Sequence, residues 1–363
     1  MAGGFLSRTR LVRHCRGIRR VHKAFAGRKS VLVTGGCGFI AANLLRRLQD
    51  LGGYRVRAFD NESLGRREHI AGLGAEFVKG DIRDAKALDA ALEGVDTVVH
   101  LAAHTRVLES IDEPQHNFEI NAGGTLQVLE AMRRAGVRRL INASTGGAIL
   151  GEAEPPIHEG MLPRPISPYG ASKLAAEAYC SAYCGSFGIR TLSLRFANVY
   201  GERSSHKGSA VAAFIKRVLA GQPVTIFGDG SQVRDFVFAA DLCDGIVAGI
   251  NSDVTGVIQL GSGVPVSINQ LLDELARVAA PTPVRRTCVA FREGEVRSTY
   301  CDISRARAEL GFEPRTSLAE GLARTWRWFA AHDAPAVERP EPLRSRNPPL
   351  AGADADFSRL AIG

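Results

Sequence analysis

Between Ser30 and about residue 200 the chain alternates two kinds of hydrophobic pattern. Short runs rich in β-branched and apolar residues stand at Val31–Thr34, Tyr54–Asp60, Glu76–Lys79, Thr97–His100, Arg139–Ala143 and Thr191–Phe196. Between them, apolar residues recur at helical spacing near 39–51, 84–93, 115–135 and 168–186. Strands alternating with helices predict an α/β fold, a doubly wound parallel sheet covered on both faces. Right-handed crossovers then bring the strand carboxyl ends, and any ligand, to one edge. Beyond Gly201 the alternation loosens. A helix near 209–220, a strand at Val224–Phe227 and helices near 240–250, 267–279 and 317–331 predict a smaller C-terminal α/β lobe. The expected division is a nucleotide-binding domain over 30–200, with 235–260 returning to it, and a substrate-binding lobe over 201–332. Residues 333–363 are rich in Pro, Arg and Ala without period, the mark of a flexible tail.

Charge changes the picture at one end only. Of the 363 residues, 46 are basic and 38 acidic, a net charge of +8. Nine of the basic residues fall within residues 1–30, which hold no acid, so the rest of the chain is close to neutral. The basicity belongs to a disordered leader over 1–29, and nucleic acid is not an expected partner. The leader has the Arg-rich composition of an organellar presequence but lacks the apolar core of a secretory signal. No apolar run approaches the ~18 residues of a membrane span, so no membrane partner is expected. Seven scattered cysteines, with no C-x-x-C pair and no His cluster at zinc spacing, predict free thiols, no metal site and a cytoplasmic location.

Two motifs carry candidate chemistry. In Val33-Thr-Gly-Gly-Cys-Gly-Phe-Ile, Gly35, Gly38 and Ala41 take the three small positions of a loop that follows a strand and opens a helix. Such a loop provides a tight turn, close backbone approach to a pyrophosphate and close helix–sheet packing, the Rossmann-type arrangement. Asp60 ends the second strand 22 residues after Gly38, where a carboxylate can hold a ribose diol and repel a 2′-phosphate. NAD is therefore expected over NADP, with Asp81 of Gly-Asp-Ile-Arg-Asp placed to accept from the adenine amine. Far downstream, Tyr169 and Lys173 stand four apart in Ser-Pro-Tyr-Gly-Ala-Ser-Lys, on one face of a predicted helix. The ammonium is expected to lower the phenol's pKa and make Tyr169 a general base near neutral pH.

With VVHLAAH, EINAGGT, NASTGGAILGE, RFANVYGER and GDGSQVRDFV added, residues 30–330 resemble the extended short-chain dehydrogenase/reductases, in their NAD-dependent nucleotide-sugar epimerase/dehydratase branch. The resemblance implies that Tyr169 is the base, Lys173 holds the nicotinamide ribose, and a Ser or Thr binds the sugar hydroxyl. Gly146 stands where that hydroxyl residue usually lies, which leaves Thr145, then Ser144, as candidates. It further implies that Phe39, Ile40, Asn61, Ile82, Leu101, Ala102 and Ala103 line the cofactor site and that Asn121 supports the active-site helix. Asn198, Arg234, Arg292, Thr105 and Thr299 would face the substrate, with the two arginines on its diphosphate. The neighbouring Asp235 offers Arg234 an alternative, structural pairing. His100 is expected to pack at a strand end, His104 to approach the sugar, and Glu159 to fix its loop.

After Thr145 come Gly146, Gly147 and Ala148, a loop unable to transfer protons, where similar dehydratases carry Asp-Glu and decarboxylases often a glutamate. What remains is 4-epimerisation of a UDP-hexose such as UDP-glucose or UDP-galactose. A UDP-glucuronate 4-epimerase, or a dehydratase or net oxidoreductase of the same family, is the alternative. The resemblance also implies a homodimer built on the helices near 115–135 and 168–186.

Overall fold

The structure is a computed structural model and describes residues 27–206, 208–291 and 296–332. The leader before residue 27, the tail beyond residue 332 and Arg292 lie outside the described residues. The first half of the chain runs through β1 (Lys29–Thr34), α1 (Phe39–Leu51), β2 (Tyr54–Asp60), β3 (Glu76–Lys79), α2 (Ala85–Ala91), β4 (Thr97–His100), α3 (Val107–Asp112) and α4 (Pro114–Phe118). A π-helical turn (Glu119–Gly123) leads into α5 (Gly124–Ala135), β5 (Arg139–Thr145), α6 (Gly146–Leu150), α7 (Pro168–Phe187) and β6 (Arg190–Phe196). The second half holds β7 (Asn198–Tyr200), α8 (Ala210–Leu219), β8 (Val224–Phe227), β9 (Val233–Phe238), α9 (Ala239–Asn251) and β10 (Gly256–Leu260). After these come β11 (Pro265–Ser267), α10 (Ile268–Ala279), β12 (Arg286–Val289), α11 (Ser304–Leu310) and α12 (Leu318–His332).

Seven parallel strands form the main sheet in the order β10-β6-β5-β4-β1-β2-β3. The order reverses between β1 and β4, and the strand ends on either side of that reversal leave a crevice. Val31, Leu32 and Val33 of β1 are wholly buried, as a central strand covered on both faces requires. One face packs Leu44, Leu45 and Leu48 of α1 with Leu242, Ile246 and Ile250 of α9. The other packs Leu88 of α2, Leu129 and Met132 of α5, and Cys180 and Tyr183 of α7. A third apolar cluster joins α8, β8, α10 and α12 beside two small sheets, β11-β9-β7 and β12-β8. Strand β10 rejoins the main sheet alongside β6 after β7, β8 and β9. Among the described residues no helix is long and apolar enough to cross a membrane.

The structure departs from the expected elements where polar side chains dictate the backbone. The single helix expected near 115–135 is interrupted by the π-helical turn, within which Asn121 is buried and bonded on all sides. Strand β5 continues two residues beyond Ala143, pairing Ser144 and Thr145 with Arg195 and Phe196. The Gly-Ala loop expected after Thr145 is a helical turn, α6.

Candidate active site

The cofactor edge is built mainly from backbone. Gly35 has φ +65°, and a Cβ there would lie 2.6 Å from the Ala102 nitrogen, so only glycine lets the β1–α1 turn meet the end of β4. Gly36 donates to the Phe59 carbonyl and Cys37 to Asp60 Oδ2 at 3.0 Å. Helix α1 starts at Phe39 and Ile40, and its N-cap, Gly38, supplies no side-chain oxygen. First-turn amides of that kind suit a diphosphate. Asp60 is nearly buried, and its Oδ1 accepts from the Glu62 amide at 2.7 Å. Burial raises its pKa against the pull of these two amides, so further hydroxyl donors would be welcome at its remaining lone pairs and a phosphate would not. This glycine cradle and acceptor fit an adenosine dinucleotide with a free ribose diol. Asp81 is already engaged: the Arg83 fork binds it at 2.8 and 2.9 Å, Asn61 Nδ2 donates to it at 2.9 Å, and its pKa falls well below the usual carboxylate range. Ile82 is buried, while Leu101, Ala102 and Ala103 are half-buried after β4.

The reacting pair sits on α7. Ser167 caps this helix by accepting from Gly170 N, Pro168 occupies its first turn, and the Tyr169 amide donates to Ser110 Oγ at 3.1 Å. Asn121 ties the helix down. Its Nδ2 donates to Ser172 Oγ at 3.0 Å and to the His104 carbonyl at 3.0 Å, while Oδ1 accepts from His104 N at 2.8 Å. Thr145 stands at the N-cap of α6, where a threonine commonly caps, yet its side chain makes no capping bond. It acts instead on the Tyr169 phenol, whose pKa it pulls down. Ser144 is turned elsewhere, donating to Glu177 Oε1 at 2.6 Å.

Electrostatics correct one expectation. Burial pushes the Tyr169 phenol up to about 12, and Thr145 pulls against it. Burial also brings the Lys173 ammonium down to about 8. A neighbouring charge was expected to dominate, but Lys173 is buried and Tyr169 half-buried, and desolvation penalises the charged form of each. His100 is a packing residue. Its ring bonds Thr34 Oγ1 at 2.7 Å and Thr125 Oγ1 at 3.1 Å, and burial lowers its pKa to about 3. His104 faces Glu109, with Nε2 at 2.9 Å from Oε2.

On the substrate side, Asn198 is exposed on β7, and Thr105 is half-buried in the loop after β4. Arg234 on β9 donates to the Val233 and Arg297 carbonyls. Asp235 serves other donors, accepting from Ser262 N and Oγ, Gly263 N and Cys301 N. Thr299 faces α6, its Oγ1 3.4 Å from where a Cβ on Gly147 would stand. Glu159 Oε1 accepts from Gln259 N at 2.7 Å and so holds its loop to β10. Sequence reasoning missed Ser110, Ser172 and Glu177, and weighed Asp235 only as a pairing partner for Arg234. Only Glu177 carried a local signal, one helical turn beyond Lys173.

A parallel sheet with a nucleotide cradle at its switch point, and a Tyr–Lys pair on one helix face beside it, defines a Rossmann-type dinucleotide enzyme. The chain belongs to the NAD dependent epimerase/dehydratase family, which residues 31–261 match. Its cofactor is NAD, and it falls among the UDP-sugar 4-epimerases of that family. A UDP-glucose 4-epimerase of Mycolicibacterium smegmatis is 38% identical over 307 residues, 82% of this chain and 97% of that protein. The UDP-glucose 4-epimerase of Thermotoga maritima, solved with UDP-glucose, superposes with a TM-score of 0.79 at 35% identity, covering 83% of this chain and 99% of that one. The UDP-glucuronic acid 4-epimerase of Bacillus cereus, solved with UDP-glucuronic acid and NAD, gives 0.77 at 30% identity over 83% and 99%.

Proposed function

We propose that the chain interconverts UDP-glucose and UDP-galactose by inverting carbon 4 of the hexose. The observation that carries this reading is the placing of Tyr169 and Lys173 one turn apart on α7, with Thr145 pulling on the phenol, beside a Gly146–Gly147–Ala148 turn that offers no second acid or base. NAD, when bound, takes up the hydride from carbon 4 and gives it back. Tyr169 removes the proton of the 4-hydroxyl and returns it, with the Thr145 hydroxyl holding that oxygen in line. Lys173 binds the nicotinamide ribose and supplies positive charge beside the phenolate. Asn198, Arg234 and Arg292 hold the diphosphate, so the 4-ketopyranose can present its opposite face without leaving. Arginine suits this role because its planar fork pairs two phosphate oxygens at once.

Thr299 opposite Gly147 favours a second substrate. A small residue at position 299 is compatible with a larger carbon-2 substituent, so UDP-N-acetylglucosamine is proposed as an accepted alternative. A homodimer through α4, α5 and α7 belongs to the same reading, supported by the exposure of Phe118 at 56% and Tyr179 at 41% on that side. Free thiols at all six described cysteines agree with the proposed cytoplasmic location. The deciding experiment incubates the purified protein with a panel of UDP- and dTDP-sugars without added cofactor and reads products by NMR. Galacto-configured product from UDP-glucose supports the reading. Turnover confined to UDP-glucuronate, or product lacking the 6-hydroxyl, replaces it with the other epimerase or a dehydratase.

A further inference from the structure

We propose that Glu177 is a positioning residue of this site, one that aligns Thr145 with the phenol and keeps Lys173 cationic. Tyr169, Lys173 and Glu177 follow one another at four-residue steps and form a single stripe along α7. The Glu177 carboxylate is where three elements meet. Arg195 of β6 grips it with Nε at 2.9 Å and Nη2 at 2.8 Å, and Ser144 of β5 donates to Oε1 at 2.6 Å. Ser144 immediately precedes Thr145, so the bond that holds the end of β5 to α7 also fixes the backbone from which Thr145 projects. Both members of the ion pair are almost wholly buried, with side-chain exposures of 5% and 4%.

Around Lys173 stand Tyr169, Glu177 and Cys180 on its own helix and His100 from β4, with Arg195 of β6 behind Glu177. Burial holds the Cys180 thiol up at about 12 and His100 down at about 3, so both are neutral near pH 7. Glu177 is then the carboxylate that opposes the desolvation of Lys173, whose pKa burial has lowered to about 8.

The inference rests on Tyr169 and Lys173 being the reacting pair, and the test separates the two ideas. When a phenolate must coexist with an ammonium, the pair titrates jointly. Below the lysine's pKa the active fraction depends on the phenol alone. Above it, the active fraction levels off at a height set by the gap between the two pKa values. A glutamine amide oxygen can still accept from Ser144 and so keep Thr145 in place, so Glu177→Gln should turn over like the parent at the acid end. Its plateau should be about tenfold lower and begin about one pH unit earlier, the signature of a one-unit fall in the lysine's pKa. Because Glu177→Gln leaves Arg195 buried without a carboxylate, the double variant Glu177→Gln/Arg195→Met is measured beside it, with the same displaced limb expected.

Thermal unfolding supplies a readout independent of turnover. A lysine whose folded pKa lies below its unfolded value binds fewer protons when folded, so stability rises with pH between the two. Lowering that folded value further adds a penalty that is full at pH 6 and gone by about pH 9. The Tm gap between Glu177→Gln and the parent should narrow over that range. A uniform loss of rate at every pH together with a constant Tm gap would reduce Glu177 to a packing role. If Tyr169→Phe kept full turnover while the Tm gap still narrowed, the reading of the reacting pair would fall and the Glu177–Lys173 coupling would stand.

Discussion

The two sides of the crevice are held by different means. On the cofactor side, shape comes from backbone: a left-handed glycine, the amides entering α1, and strand ends brought level by six parallel pairings. On the substrate side, short strands are pinned by side chains, above all Asp235, whose carboxylate gathers donors from the turn after β10 and from Cys301. Backbone geometry cannot be adjusted by changing one side chain, whereas a side-chain staple can be. The cofactor half should therefore tolerate few changes at its turn. The substrate half should respond in graded fashion.

Substitutions at the junction and on either side would break or sharpen that contrast. The largest effect is expected at the junction. Tyr169→Phe should reduce kcat by about 10²-fold or more, with NAD still bound, because the general base is lost and the fold is not; kcat together with the NAD content of the purified protein checks this. Next comes Gly35→Ala, whose Cβ would meet the backbone of Ala102 and whose φ of +65° disfavours any other residue. NAD affinity should fall by about tenfold or more, with about 1–2 kcal/mol of stability lost to the left-handed strain, read by calorimetric titration and denaturant melts. The smallest effect on function is expected at Asp235→Asn, which replaces charge-assisted bonds by neutral ones. It should lower stability by about 1–3 kcal/mol and raise KM for the UDP-sugar several-fold while leaving NAD content unchanged. An Asp235→Asn protein that lost NAD as completely as Gly35→Ala would erase the distinction.

The same contrast explains what could be read from the sequence. The six strands of the first half are legible as short apolar runs alternating with helical stretches, and the helix near 39–51 because its apolar residues repeat at helical spacing. The glycine cradle and the Tyr169–Lys173 spacing are legible because close backbone approach and a shared helix face restrict residue type. The short strands β7, β9, β11 and β12 escape such reading, since three to six residues carry little periodicity and their partners lie far along the chain. Two site features escape for a different reason. The preference of Ser144 for Glu177, and the upward drift of the phenol's pKa, depend on burial and on contacts between elements distant in sequence. Spacing along α7 supplied the lysine but not the dryness of its surroundings.

The π-helical turn at Glu119–Gly123 makes the site dependent on an indel-sensitive register. Removing one residue there would restore an unbroken spiral and rotate what lies beyond it by about 100° relative to what precedes it. Asn121 would swing from Ser172 and His104, and Thr125 from His100, severing a polar relay that runs from α7 to the strand beneath the glycine cradle. A one-codon deletion in a distant-looking helix would thus loosen the helix of the reacting pair and the strand under the cofactor cradle together, without touching a residue that meets sugar or cofactor.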